Sequence, residues 1–130
     1  MKSINKFLIA LLLFSGLVTA NAQITWVAPK SEDAITNPLK NDASAVKQGK
    51  AIYAQFCAIC HGDKGKGDGI AAAALNPKAA NFTTEKFNSQ TDGAVFWKLT
   101  EGRPPMASYK EILSETQRWQ LVNYLKSLKK

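Results

Sequence analysis

The sequence contains few of the side chains from which catalytic centres and metal sites are usually built. Its 130 residues include two cysteines, two methionines and one histidine. A closed structural zinc site needs four nitrogen or sulfur ligands, and the cysteines and the histidine together supply only three. The ten acidic residues are scattered along the chain and form no convincing pair of carboxylates. These shortages argue against a structural zinc site and against catalysis by paired carboxylates.

Several sequence patterns are absent as well. No segment alternates between apolar and polar residues as strands do, so the predicted fold class is all-α. The glycine-rich segment 62–69 does not match the pattern of a phosphate-binding loop. No run of basic residues is interleaved with aromatic ones, and nucleic acid is therefore not an expected partner.

The chain does contain the motif Cys57-Ala58-Ile59-Cys60-His61. This C-x-x-C-H spacing is typical of covalent haem attachment, in which two thiols add to the haem vinyl groups and the histidine donates a ring nitrogen to the iron. The alternatives are a chance match, a thioredoxin-like redox pair and a structural disulfide. Because no βαβ pattern surrounds the motif, the redox pair is disfavoured. We predict one haem c, bound by Cys57, Cys60 and His61.

Residues 1–22 have the three parts of a secretory signal peptide. Lys2 and Lys6 give a positive start, an apolar run covers residues 7–18, and Ala20-Asn21-Ala22 forms a cleavage site. We expect cleavage after Ala22 and export to the periplasm, which agrees with haem attachment outside the cytoplasm. The apolar run is too short to span a bilayer comfortably, so no stable membrane insertion is expected after cleavage.

The rest of the chain has the size of one domain. Residues 23–43 lack periodicity and contain Pro29 and Pro38, which predicts an extended N-terminal arm. Either Trp26 pins this arm to the body of the protein, or the arm is a loose tail. The formal net charge is +7 and stays positive without the signal peptide, which favours encounters with acidic redox partners.

Three longer helices are predicted after the arm, over about residues 44–56, 93–100 and 114–128. Gly49 is costly inside the first helix and indicates close approach of another helix. A short helical piece is expected at 71–75, whereas residues 81–88 look irregular. The expected N-caps are Asp42 or Ser44, Thr91 or Asp92, and Ser114, which forms a capping box with Gln117.

Met106 is the predicted second axial ligand. It is the only methionine outside the signal peptide, and it follows Pro104-Pro105 in the loop between the second and third long helices. Each proline fixes its own φ, so the loop can hold a weakly binding thioether with little loss of entropy. A histidine–methionine pair is the cytochrome c arrangement. The alternatives are a lysine such as Lys110, or an open position.

On these residues the chain resembles the class I monohaem cytochromes c, small soluble proteins of bacterial periplasms. Gly49, Tyr53 and Cys57 match the glycine, the aromatic residue and the first haem cysteine of that family. Leu121 and Tyr124 match the leucine and aromatic residue of the C-terminal helix that crosses the glycine. The resemblance therefore implies that the glycine is required by this crossing.

For residues 44–130 the resemblance implies a cytochrome c fold, with three to four helices packed around one covalently attached haem. In many relatives the glycine-rich loop ends in Gly-x-Gly-Pro, and the proline carbonyl accepts a hydrogen bond from the proximal histidine. Ile70 stands at the proline position here. A backbone carbonyl does not require proline, so the bond can survive at Ile70, with Pro77 as the weaker alternative.

The predicted function is that of a periplasmic one-electron carrier between two redox proteins. One alternative is a haem subunit of a larger oxidoreductase, such as a sulfur-compound dehydrogenase, which an exposed patch around Trp26, Trp97 or Trp119 would favour. Another is a haem protein with an open iron that binds small ligands or peroxide, against which Met106 argues. The candidates for a basic docking face are Lys64, Lys66, Lys78 and Lys110. Each of them is also explained as an ordinary surface lysine.

A chain of this size buries only roughly two thirds of its unfolded surface, so its own core is thin. A haem inside it adds a large apolar body. We therefore expect the haem-free protein to have less helix and a lower melting temperature than the haem-loaded protein. Far-ultraviolet circular dichroism of the two forms measures both, and equal helix content with equal melting would contradict the expectation.

Overall fold

The computed structural model describes residues 25–129, and the predicted signal peptide over residues 1–22 lies outside the described residues. Within 25–129 the chain is helical and has no β-strand, which confirms the all-α prediction. No helix in this range is both long enough and apolar enough to cross a bilayer. The α-helices are α1 (Ala43–Phe56), α2 (Ala58–His61), α3 (Glu85–Asn88), α4 (Asp92–Glu101) and α5 (Glu115–Ser127).

Local hydrogen bonds begin each of the three longer helices at the expected residues. The carboxylate of Asp42 accepts from the first backbone N–H groups of α1. The Thr91 hydroxyl accepts from the Ala94 N–H at the start of α4. Ser114 and Gln117 form the predicted capping box at the start of α5. These caps satisfy backbone donors that the first turn of a helix leaves unpaired, so the boundaries follow from local chemistry.

Helices α1 and α5 cross in close contact at Gly49. A β-carbon on Gly49 would lie 2.7 Å from the carbonyl carbon of Gln120 and 2.9 Å from the β-carbon of Tyr124. Both distances are too short for any side chain. The interior glycine therefore permits the two backbones to touch, as the helix-propensity cost of this residue indicated.

Helix α5 contributes most of the deeply buried side chains. Leu121, Val122 and Leu125 are almost completely buried, and Tyr53 of α1 packs among the same residues. Arg118 and Trp119 of α5 are buried too. The buried face of α5 is thus wider than its leucines and Tyr124, and it includes a charged residue.

The N-terminal arm is not wholly extended, in contrast to the sequence-based prediction. Lys30–Ala34 forms a 3-10 helix that packs against α4. Asn37 is buried, and its side-chain amide donates to Asp92 Oδ2 at 3.0 Å and to Asn123 Oδ1 at 2.6 Å. These bonds fix the arm to α4 and α5 and resolve the alternative in favour of a pinned arm.

The segment between α2 and α4 contains one element that the sequence analysis missed. Residues 81–88 are not entirely irregular, because Glu85–Asn88 forms α3 with the Thr84 hydroxyl as its N-cap. The side chain of Phe87 in this helix is buried. The helical piece expected at 71–75 is a 3-10 helix over Ala72–Ala74.

Replacing Gly49 by alanine tests the crossing. We expect Gly49→Ala to lower the free energy of unfolding by about 2 kcal/mol, since the new methyl group overlaps α5. At an exposed helical position, the same change raises stability by about 1 kcal/mol. Urea unfolding of the haem-loaded protein gives the value, with the exposed neighbour Lys50→Ala as a control expected to be near neutral. A stabilised Gly49→Ala variant would show that the helices are not in contact there.

Candidate haem site

The C-x-x-C-H motif lies where α1 continues into α2. The Cys57 N–H donates to the Tyr53 carbonyl at 2.8 Å and so closes α1. The Cys57 carbonyl then accepts from the Cys60 N–H at 3.1 Å and from the His61 N–H at 2.9 Å. The backbone therefore stays helical through the motif, and the two thiols and the imidazole are held on a single turn.

One cavity of about 260 Å³ brings the sequence-predicted site residues together. Cys57, Cys60 and His61 line it, and Met106 lines it from a segment far away in sequence. Lys78 also lines the cavity, whereas Lys110, the alternative ligand considered above, does not. The large apolar residues of its wall are Trp26, Phe56, Leu75, Phe82, Leu99 and Leu125.

The His61 ring is fixed by a hydrogen bond and by a stacking contact. Its Nδ1 lies 3.0 Å from the carbonyl oxygen of Ala80. A carbonyl can only accept, so Nδ1 carries the hydrogen and Nε2 keeps its lone pair in the neutral ring. Burial lowers the pKa of His61 and so favours the neutral ring, although the Ala80 hydrogen bond acts in the opposite direction. The ring of Phe82 stacks on the imidazole at a centroid distance of 4.4 Å.

The acceptor of the His61 hydrogen bond differs from the two residues considered in the sequence analysis. The carbonyl belongs to Ala80 and not to Ile70 or Pro77. Ile70 is 91% exposed at the surface of the glycine-rich loop. A backbone acceptor leaves no mark on the sequence, because any residue type can provide a carbonyl. Its identity depends on how the segment after the loop folds back over the motif.

The two thiols are in different environments. Cys57 is buried and Cys60 is partly exposed, and both are free thiols, so the structural disulfide considered from the sequence is not formed. Burial raises the pKa of the Cys57 thiol to about 12. Cys57 is therefore a neutral thiol at ordinary pH, and it does not have the depressed pKa of a reactive redox cysteine.

The Met106 segment is closed by backbone hydrogen bonds. The Arg103 N–H donates to the Met106 carbonyl at 3.0 Å, and the Met106 N–H donates to the Arg103 carbonyl at 2.9 Å. Shortly after it, the Tyr109 N–H donates to the Leu99 carbonyl at 3.0 Å. These bonds hold the thioether-bearing residue in a tight turn at the end of α4.

Trp26 is a cavity residue whose role the sequence left open. Its ring contacts that of Trp97 on α4, with 6.4 Å between the ring centroids. The guanidinium of Arg103 lies over Trp26 at 5.0 Å, and the ammonium of Lys98 lies at 5.7 Å. The arm thus supplies one part of the cavity wall next to the Met106 turn.

Comparison with known proteins identifies the family. Residues 44–125 match a family model described as cytochrome c oxidase, cbb3-type, subunit III, a c-type cytochrome domain. The chain belongs to this family of c-type cytochromes. No curated protein sequence matches this c-type cytochrome.

The solved structures that resemble this c-type cytochrome include the following two. One is a chain of the Kuenenia stuttgartiensis reducing HAO-like protein complex Kustc0457/Kustc0458, with 32% sequence identity and a TM-score of 0.65. The similarity covers 74% of this chain and 50% of that one, so this chain spans about half its length. The other is the KustC0563 c-type cytochrome, with 26% identity and a TM-score of 0.56, over 63% of this chain and 98% of that one.

Membership of the family implies covalently bound haem c and a role in electron transfer, not in catalysis. The residues of the cavity fit such a group. They include two thiols three positions apart, an imidazole whose Nε2 is available, a thioether, and an apolar wall. A covalently attached haem needs donors of these types and an environment of this polarity.

Replacing Trp26 tests the docking of the arm. We expect Trp26→Ala to lower the free energy of unfolding by about 1–2 kcal/mol, because it removes the Trp97 contact and the two cation–π contacts. Val27→Ala is the matched control, since Val27 is the next residue of the arm and is 71% exposed. Urea unfolding followed by circular dichroism measures both variants. Equal stability of both variants and wild type would mean that Trp26 does not anchor the arm.

Proposed function

We propose that this c-type cytochrome is a class I, periplasmic one-electron carrier with a single haem c bound by Cys57, Cys60, His61 and Met106. The observation that carries the proposal is the shared cavity, which is lined by all four side chains although Met106 is distant in sequence. A single haem is supported because the chain has no cysteines besides these two. The family match supports the cofactor type and the electron-transfer role.

Each of the four residues has a distinct role in this proposal. Cys57 and Cys60 form the two thioether bonds. His61 is the proximal ligand through Nε2, while its Nδ1–H bond to Ala80 orients the ring and makes Nε2 a stronger donor. Met106 is the second axial ligand, and its thioether raises the reduction potential.

When bound in this cavity, haem c supplies an iron that changes by one electron between the ferric and ferrous states. The surrounding residues keep the ligands in place during that change. Phe82 packs on the His61 ring, and the hydrogen bonds between Arg103 and Met106 stiffen the turn that carries the thioether. The apolar wall limits access of water, which contributes to setting the potential. A site that rearranges little is suited to electron exchange.

The periplasmic location and the nature of the partners rest on the sequence. The signal-peptide pattern over residues 1–22 supports export. The positive net charge supports encounter with acidic surfaces of donor and acceptor proteins. Lys64, Lys66, Lys78 and Lys110 are all exposed, so each is accessible to a partner.

A second candidate function is a haem subunit of a larger oxidoreductase. It is favoured by the similarity to a chain of a reducing HAO-like protein complex. The tryptophan patch that would also favour it is not formed, since Trp119 is buried and Trp26 and Trp97 are half-buried against each other. Size-exclusion chromatography of the native protein distinguishes the two, because a shuttle elutes as a small protein and a subunit elutes with its complex.

Spectroscopy of the exported protein tests covalent attachment. We expect the pyridine haemochrome spectrum of a haem with two thioether bonds and a mature N-terminus at Gln23. Haem should resist acid–acetone extraction from wild type but not from the Cys57→Ala/Cys60→Ala double variant, which lacks both bonds. Cys57→Ala alone is the control and should retain haem through one bond. A colourless wild-type protein would refute the proposed function.

Replacement of Met106 tests the second axial ligand. We expect Met106→Leu, which keeps the volume but lacks sulfur, to lose the Met–Fe(III) charge-transfer band and to bind CO rapidly when reduced. Its reduction potential should fall by on the order of 0.1 V, because the thioether favours ferrous iron. Pro105→Ala, a change in the same turn, should keep the band. If Met106→Leu has the spectrum of wild type, the ligand is another residue.

A further inference from the structure

Arg118 is a buried cation that the proposed function does not yet use. It lies on α5, is 8% exposed, and no carboxylate pairs with it among residues 25–129. Burying a charge without a counter-charge destabilises a fold, and an apolar side chain of similar size is usually tolerated better at such a position. Contacts of the guanidinium with uncharged groups must therefore offset this cost.

The contacts of the guanidinium are directed at the loop between α4 and α5. Arg118 Nη1 donates to the Leu113 carbonyl at 2.6 Å and to the Lys110 carbonyl at 3.1 Å. The guanidinium carbon of Arg118 lies over the ring of Phe96, 5.2 Å from its centroid. Hydrogen bonds from a charged donor are stronger than those between neutral groups. One side chain of α5 thus binds two backbone carbonyls of the loop that precedes the helix.

These two carbonyls belong to a turn that is continuous with the Met106 segment. The Leu113 N–H donates to the Tyr109 carbonyl at 3.0 Å, which closes the turn around Lys110. Tyr109 lines the cavity beside Met106, and its hydroxyl donates to the Phe56 carbonyl at 3.2 Å. The turn that Arg118 binds thus begins at Tyr109, three residues after Met106.

We infer that Arg118 is a positioning residue that holds the Met106 segment closed, so that the thioether stays bound to ferric iron. The inference rests on the proposed function, because it takes Met106 as the ligand. An external ligand can take the place of Met106 at the iron only in molecules in which the Met106 segment has opened. Its apparent affinity therefore reports the fraction of open molecules, which Arg118 reduces.

Imidazole binding to the haem-loaded ferric protein tests the inference. We expect Arg118→Met to bind imidazole about tenfold more tightly than wild type, because the loss of two charge-assisted bonds favours the open segment. The imidazole affinity of Arg118→Lys should lie between those of Arg118→Met and wild type, since an ammonium keeps the charge and can still donate to a carbonyl. The matched control is Val122→Ala, a cavity-forming change at a buried α5 residue outside the haem cavity. It should lower global stability and leave imidazole affinity unchanged.

Hydrogen exchange of the same proteins separates this inference from the proposed function. The amide of Leu113 should exchange faster in Arg118→Met than in wild type, while that of Cys57 at the end of α1 should not change. Unchanged imidazole affinity and unchanged Leu113 exchange would overturn the inference, as would an equal effect of Val122→Ala. If Arg118→Met does not fold, a wild-type affinity in Arg118→Lys would also overturn it. A wild-type spectrum without the Met–Fe(III) band would instead refute the ligation by Met106.

Discussion

The backbone contact between α1 and α5 at Gly49 is the constraint on which the two halves of the candidate haem site depend. Helix α1 leads directly into Cys57, so its position determines where the thiols and the imidazole lie. Helix α5 holds the turn that follows Met106 through the bonds of Arg118. A side chain at Gly49 would separate these helices. The relative position of the C-x-x-C-H motif and Met106 therefore depends on a residue that does not line the cavity.

The two halves of the site are built by different kinds of interaction. The C-x-x-C-H residues need only one helical turn and short-range hydrogen bonds. Met106 reaches the same cavity because the chain passes through α4, closes a tight turn, and is then fixed against neighbouring elements. The N-terminal arm adds Trp26 to the wall and is itself held by Asn37, which bonds to residues of α4 and α5. Long-range packing thus completes a site that local structure begins.

The parts that could be predicted from the sequence are those whose signals are local. Caps such as Asp42 and the Ser114 capping box act on neighbouring backbone groups, so residue type and spacing reveal them. The Ala80 carbonyl could not be predicted, because a backbone acceptor has no side-chain signature. Arg118 was missed because its charge suggests a solvent-facing position. Only the fold shows that the carbonyls of Lys110 and Leu113 lie within reach of its guanidinium. Helix α3 is one turn long and has no periodicity to detect.

A rigid, apolar site with one imidazole and one thioether suits a protein whose task is to exchange an electron without rearranging. Iron-edge X-ray absorption of the purified ferric protein tests this account most directly, because it identifies the atoms bound to the metal. The account predicts one sulfur scatterer from Met106 together with nitrogen scatterers from the porphyrin and His61. A first shell of nitrogen and oxygen alone would contradict it.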